Sequence, residues 1–473
     1  MYPSIRYQVT LVTFQVPRNK HRRHCQNYHH HHIQVGPLET KLSSKWRVFE
    51  CAALSKQGQR FLSSLATATA ARDNSATNSL IKKFVAASPK SIALDALSHL
   101  LSPNSSYSHL SSLAFPLYLK IQEAHWFDWN PKLVAEVVAL LDKQGQYNES
   151  GTLISDSISK LKLRERDLAL FYCNLVESHS KQNCVQGFED SFARLNQLVF
   201  SSNSVYIKKQ AYKSMISGLC EMGRPKEAQD LIEEMRGKGV KPSVYEFRCV
   251  LHAYGKLGLF QEMQMILDQM ESGGFKVDTV CSNMVLSSYG VYNALPEIVS
   301  WLKKMKDLGI PFSSRTCNSV LNSCPTMMST VQNSNANTYP ISIQELMKIL
   351  RGDEAMVVNE LIIGSSSVLE EAMQWDALES KLDLHGMHLC SAYLIMLLWF
   401  EEMKNRFNGG NYVIPAEITV VCGSGNHSIV RGESPVKRMI KSIMVQTRSP
   451  MRVDRKNLGC FIAKGKVVKE WLS

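Results

Sequence analysis

The chain has 473 residues, 44% of them apolar, and a formal net charge of +12. That length suits roughly three domains of about 100–200 residues each, and the apolar share is ordinary for packed cores, so the chain is globular. The charge sits at the two ends: residues 1–60 and residues 431–473 each carry +8, and residues 61–430 carry −4. This excludes the middle as the main electrostatic grip on a nucleic acid and leaves that role to the last segment.

Residues 1–68 are poor in acids and rich in Arg, Ser and Ala, and run through Arg60-Phe61-Leu62-Ser63-Ser64-Leu65 without a long apolar stretch. This is the composition of an organelle transit peptide, expected to be disordered, for the chloroplast or alternatively the mitochondrion. No early apolar stretch of about 7–15 residues points to secretion, and no segment approaches the roughly 20 residues of a membrane span. The run His29–His32 in this leader is read as incidental, not as a metal site. The twelve cysteines, with no CxxC pair and no regular spacing with histidine, fit buried thiols in a reducing compartment.

A helical cap region is expected over 69–130, and internal repeats follow. Ala211–Ser243 contains two amphipathic helices separated by Glu221-Met222-Gly223-Arg224, and the pattern returns thirty-five residues later in Tyr245–Asp278. A third copy runs from Thr279 to Ser313, degenerate copies occupy Pro131–Leu163 and residues 167–204, and a partial copy starts near Ser314 and fades after Cys324. Apolar residues at helical spacing, such as Met215, Ile216 and Leu219 or Leu231, Ile232 and Met235, cannot be buried by one helix pair alone. Stacked pairs bury them, which predicts an α-helical solenoid over 131–324.

These copies carry Tyr212, Gly218-Leu219-Cys220, Gly223-Arg224, Glu227-Ala228, Glu233-Glu234-Met235 and Gly239-Val240-Lys241-Pro242, a succession that resembles the pentatricopeptide-repeat family. The resemblance implies binding of single-stranded RNA, one base per repeat, read by one residue of the first helix and the last residue of the repeat. The implied pairs are Lys213 with Ser243, Arg248 with Asp278 and Asn283 with Ser313, and Asn318 stands at the matching position of the partial copy. Only Asn283 with Ser313 has the look of a reading pair; Lys213 and Arg248 suit phosphate contact or a solvated scaffold face.

Residues 325–381 are read as a linker with connecting helices: a flexible link at Pro325–Asn337, then helices at Ser342–Leu350 and Glu354–Asp376. In 382–473 the periods alternate. Strands are expected at Lys381–Leu384, Glu417–Val421, Met451–Asp454 and Gly459–Val468, and helices at Ser391–Lys404 and from Pro435 to about Gln446. That is a small α/β layer domain in which the strand period puts Asp383 and His385 on one face. The apolar run Leu389–Phe400 is too short for a span and is read as a buried helix.

Leu382-Asp383-Leu384-His385-Gly386, the loop Cys422-Gly423-Ser424-Gly425-Asn426-His427-Ser428 and Ser434-Pro435-Val436-Lys437 resemble the small MutS-related domain, which plant organellar proteins join to pentatricopeptide repeats. The resemblance implies an RNA-processing endonuclease with Asp383 and His385 as the catalytic pair. Gly423 and Gly425 would admit backbone N–H groups to a phosphate beside a helix start, with Lys437, Arg438, Lys441 and His427 touching phosphate. The alternative is a non-catalytic RNA-binding or adaptor protein that uses the domain as a nucleic-acid clamp. The family's loop opens with Thr where this chain has Cys422. The sequence fixes neither a cofactor nor protein partners: a divalent metal stays open, and DNA is not excluded, because the domain's name-giving relatives act on DNA.

Overall fold

The computed structural model describes residues 54–332, 339–364, 366–409, 412–423, 425 and 434–472. Helices α1 (Lys56–Ala70), α2 (Asn74–Ala87), α3 (Lys90–Leu101) and α4 (Ala114–Gln122) form the N-terminal end. The Ser55 hydroxyl caps α1 by accepting from the Gly58 N–H at 3.1 Å. Phe61 stacks on Phe84 with ring centroids 3.7 Å apart, and Leu62 and Leu65 are fully buried. The boundary expected at residue 68 therefore falls inside a packed helix: the same apolar residues read as part of a leader recur at helical spacing and bury against α2 and α3.

Six helix pairs follow. They are α5 (Pro131–Lys143) with α6 (Tyr147–Leu161), α7 (Glu165–Gln182) with α8 (Val185–Ser201), and α9 (Val205–Glu221) with α10 (Pro225–Gly237). Then come α11 (Val244–Lys256) with α12 (Phe260–Ser272), α13 (Thr279–Val291) with α14 (Leu295–Asp307), and the shortened α15 (Ser314–Leu321) with α16 (Pro325–Gln332). Gly223 and Gly258 close the turn inside their repeats at φ +74 and +69, and the third copy places Asn293 there at φ +52, a residue type that tolerates the left-handed region. The last residue of each repeat caps the first helix of the next: Ser243, Asp278 and Ser313 are the N-caps of α11, α13 and α15. First helices pack in an unbroken row, α5 on α7, α7 on α9, and so to α15. The repeat's apolar stripe forms the core, with Tyr212, Met215, Ile216, Ile232 and Met235 fully buried.

The flexible link expected from Pro325 is a helix as far as Gln332. Pro325 suits a first helical turn, and the Glu354 carboxylate accepts from the N–H groups of Thr326 at 2.9 Å and Met327 at 3.4 Å. Glu354 belongs to α18 (Gly352–Ile363), which follows α17 (Ile343–Ile349) and packs on α14. The single helix expected through Asp376 is divided at Gly364: α19 (Ser366–Ala372) follows, and then Met373–Trp375 forms β1.

The C-terminal layer domain holds β2 (Glu379–Asp383), α20 (Leu389–Asn408), β3 (Glu417–Val421), α21 (Pro435–Gln446), β4 (Arg452–Val453), β5 (Cys460–Lys464) and α22 (Gly465–Leu472). The sheet order is β1-β2-β3-β5-β4. β2 and β3 are parallel with Asp383 opposite Val421, joined by the crossover helix α20, and the other pairs are antiparallel. α20 is buried almost all round, from Cys390 to Phe400, because it lies between the sheet domain and the last repeat, touching α15, α16, α17, α21 and α22. The strand expected over Gly459–Val468 ends at Lys464, and the rest is α22, held by Val468 in the core and by the Trp471 indole N–H donating to the Thr447 carbonyl at 2.8 Å. Among the described residues no helix is long and apolar enough to cross a membrane.

Candidate functional site

Four first helices carry a polar residue at the same place, thirty-five residues apart: Lys213, Arg248, Asn283 and Asn318. All four are half-buried; the first three reach the start of the next repeat's first helix, and Asn318 reaches the loop before α20. The Lys213 ammonium lies 4.4 Å from the Tyr245 ring centroid, on α11. Arg248 donates to Asp278 Oδ2 at 2.6 Å and to Cys281 Sγ at 3.4 Å, on α13. Asn283 donates through Nδ2 to Ser313 Oγ at 3.3 Å and accepts through Oδ1 from the Thr316 hydroxyl at 2.8 Å, on α15. The structure thus brings together two of the three expected pairs, Arg248 with Asp278 and Asn283 with Ser313, but spends their polar atoms on each other. Lys213 meets Tyr245 in place of Ser243, whose hydroxyl is engaged by Glu246 at 2.6 Å in a capping box. Burial alone would raise the Asp278 carboxyl, but the Cys281 N–H and the Arg248 guanidinium outweigh it and hold the group below its ordinary value.

Asn318 departs from the reading role expected of it. Its Nδ2 donates to the Gly386 carbonyl at 3.1 Å and its Oδ1 accepts from the His388 N–H at 2.8 Å, so both ends of the amide hold the loop that follows β2. One helical turn on, Asn322 Nδ2 lies 2.7 Å from His388 Nδ1. His388 is the N-cap residue of α20. Asn322 and His388 carry no signal of this in the sequence beyond the four-residue spacing that puts Asn322 on the same helix face as Asn318.

Asp383 and His385 are neighbours through a turn, not through strand alternation, because β2 ends at Asp383. Asp383 Oδ1 accepts from the His385 backbone N–H at 3.0 Å and lies 2.6 Å from His385 Nδ1. The neutral tautomer this contact favours carries its proton on Nδ1 and leaves Nε2 as an acceptor on a side chain that is 70% exposed. The next residue, Gly386, has φ +79, so the chain turns sharply into α20.

The glycine loop starts beside this pair. The Leu384 N–H donates to the Val421 carbonyl at 2.8 Å, and a β-carbon placed on Gly423 would lie 3.7 Å from His385 Cβ. Gly423 and Gly425 have φ +79 and +74. His427 lies outside the described residues. Ser434 ties the start of α21 to the end of β3: its hydroxyl donates to the Cys422 carbonyl at 3.1 Å and accepts from the Lys437 N–H at 3.2 Å. Lys437 is half-buried near the Cys422 thiol, whereas Arg438 and Lys441 are exposed farther along the helix. Burial pushes the Cys422 thiol up to about 12, with Cys460 and Asp383 adding to the rise and Lys437 opposing it. Among the described residues no three His, Cys, Asp or Glu side chains converge as a metal centre.

A repeat-family model described as the PPR repeat family matches residues 210–248, and a PPR repeat model matches residues 247–275. A pentatricopeptide repeat-containing protein of Arabidopsis thaliana is 58% identical over 419 residues, spanning 89% of this chain and 82% of the relative. A second Arabidopsis pentatricopeptide repeat-containing protein, described as chloroplastic, is 24% identical over 31% of this chain and 28% of its own length. The chain belongs to the pentatricopeptide repeat family. Crystal structures of a maize pentatricopeptide repeat protein align at 13% identity with a TM-score of 0.33, over 84% of this chain and 66% of that one, and at 16% with a TM-score of 0.34 for its complex with an 18-nt RNA element, over 83% and 53%.

Proposed function

We propose that the protein binds single-stranded RNA along the row of Lys213, Arg248 and Asn283, and that its C-terminal domain cleaves phosphodiester bonds at Asp383 and His385. The observation that carries the reading is the row itself: polar and cationic side chains at one position of consecutive first helices, in a chain of this repeat family, leading to a carboxylate–imidazole pair beside two glycines with left-handed backbone. In the cleavage step His385 Nε2 takes the proton of a ribose 2′-hydroxyl or a water as its oxygen attacks phosphorus. Asp383 stabilises the imidazolium so formed, which then gives the proton to the leaving oxygen. Backbone N–H groups at Gly423 and Gly425, the start of α21 and the Lys437 ammonium offset the phosphate charge. The acid-poor leader supports import into the chloroplast, with the mitochondrion as the alternative.

One observation favours a non-catalytic clamp: the loop opens with the buried thiol of Cys422 in place of the hydroxyl the resemblance calls for. Incubation of the protein with labelled single-stranded RNA and matching single-stranded DNA, beside the Asp383→Asn variant, separates the two. RNA cleavage lost in the variant supports the nuclease; RNA retention without cleavage supports the clamp; and absence of binding to RNA overturns both.

A further inference from the structure

We infer that the C-terminal domain occupies the next position of the repeat row, so that the RNA nucleotide following the one at Asn283 and Ser313 is delivered to the Asp383–His385 loop, with Asn318 as the positioning residue. The inference deepens the RNA reading above and rests on it.

The register argument starts from the three repeats. In each, the residue on the first helix meets the start of the next first helix: Lys213 meets Tyr245, the second residue of α11, Arg248 meets the N-cap Asp278, and Asn283 meets the N-cap Ser313. Asn318 repeats the pattern one step on, since its Oδ1 accepts from the N–H of His388, the N-cap of α20. α20 also packs against α15, so the helix whose N-cap Asn318 meets is the one that follows α15 in the row of contacts. The second layer continues as well, because α18 packs on α14 and Lys306 of α14 pairs with Glu360 of α18. α18 belongs to the connecting segment, and the sheet domain itself meets the last repeat through α20, which packs on α15 and α16.

Three side-chain contacts fix the loop to the last repeat: Asn318 to Gly386, Asn318 to His388 and Asn322 to His388. One N–H of the Asn318 amide is bonded to Gly386 and its oxygen to the His388 N–H, so the side chain is tied to the loop. What the position presents is the loop itself, with His385 in the His385–Gly386 turn and its side chain exposed. Where each repeat spans one base, the contact falls a fixed one nucleotide beyond the base at Asn283, whatever the sequence of the strand.

The test uses the full chain and a thiouridine-substituted oligouridylate of about 20 nucleotides, several times the one base that a repeat accommodates. After irradiation the crosslinked peptides are mapped. The expected result is crosslinking both in the row, on peptides of α11 and α13, and on the peptide containing residues 383–388. In the double variant Asn318→Ala with Asn322→Ala, and in Asn318→Asp, which keeps the acceptor for His388 but loses the donor to Gly386, the row crosslinks persist and the 383–388 crosslink is lost. Row crosslinks with none at 383–388 in the unaltered protein, or a 383–388 crosslink that survives both variants, overturn the inference and leave RNA binding standing. Absence of crosslinks anywhere, or equal capture of an oligothymidylate, overturns the RNA reading and the inference with it. A variant that loses the row crosslinks too counts against Asn318 as a positioning residue, because the repeat itself has then given way.

Discussion

Arg248 donates to Asp278 Oδ2 at 2.6 Å, joining the first helix of one repeat to the N-cap of the next. Both side chains are partly exposed, so the ion pair itself contributes only about 0.2–1 kcal/mol. Its larger effect is on availability, since a guanidinium paired with a carboxylate is a poor phosphate ligand. Asp278→Asn keeps a good N-cap residue and removes the charge. The variant is expected to unfold within about 1 kcal/mol of the parent, to bind single-stranded RNA more tightly at low salt, and to steepen the salt dependence by about one phosphate contact. A titration at several salt concentrations checks this; an unchanged slope removes Arg248 from the interface. The pH sign follows from the lowered carboxyl. The unfolded chain protonates first as pH falls through 3.8, so stability from this contact is full above that value and is lost below it. The acid limb of a pH–stability curve should be shallower in the variant.

At the candidate catalytic pair, exposure separates chemistry from stability. The His385 side chain is 70% exposed, and its removal leaves no cavity. His385→Ala is expected to change the melting temperature by less than a few degrees, in keeping with a surface substitution of about 0.5 kcal/mol or less, while RNA cleavage falls by about 10²–10⁴-fold. Asp383→Asn keeps an oxygen to accept from the His385 N–H and should fold equally well with a comparable loss of rate. Cleavage at the parental rate in both variants would sink the assignment.

The repeats were legible because their physics is local: an apolar stripe at helical spacing, a turn residue near the middle and a cap at the end recur in one window of thirty-five residues. The strands expected at Lys381–Leu384 and Glu417–Val421 and the helix from Pro435 to about Gln446 are legible from local periodicity too, the first of them lying at Glu379–Asp383 in the structure. What escaped depends on distant partners. Helix α16 exists because Glu354, twenty-eight residues away, caps it, and Asn318 looked like a base reader because nothing nearby in the chain reveals that Gly386 and His388 complete its hydrogen bonds. Helix α22 follows a strand without a break, and its apolar residues Val467, Val468 and Trp471 fit either period over so short a span. Asp383 and His385 are neighbours, as strand alternation predicts, but a turn and not the pleat brings them together.

The Cys422 thiol makes a prediction about reactivity. Burial raises it to about 12 from the ordinary 9.0, so it is neutral at physiological pH and lacks the thiolate needed for alkylation. At pH 8 iodoacetamide should modify Cys422 only after denaturation, as read by peptide mass mapping. Because the folded value is raised, the stability it contributes is full below 9.0 and declines as pH rises toward about 12. Rapid labelling of Cys422 in the native protein would contradict its packed position between β3 and the start of α21.

The two degenerate repeats are pinned together by a buried polar network, and one glycine measures how rigid it is. His179 of α7 is 1% exposed, with Nε2 2.9 Å from Asp142 Oδ2 on α5 and Nδ1 3.0 Å from Ser191 Oγ on α8. Asp142 also accepts from the Ser150 hydroxyl on α6, so four helices meet at these side chains. A β-carbon on Gly187 would lie 2.5 Å from His179 Cδ2, and the ring cannot swing away without breaking both of its hydrogen bonds. Alanine is the better helix former by about 1 kcal/mol. The steric term still dominates, and Gly187→Ala is expected to destabilise by about 1–3 kcal/mol. In a His179→Ala background the ring is gone and the same substitution should be neutral or stabilising. Urea unfolding of the two single variants and the double variant closes the cycle. Additive effects would mean that Gly187 and His179 do not compete for the same space.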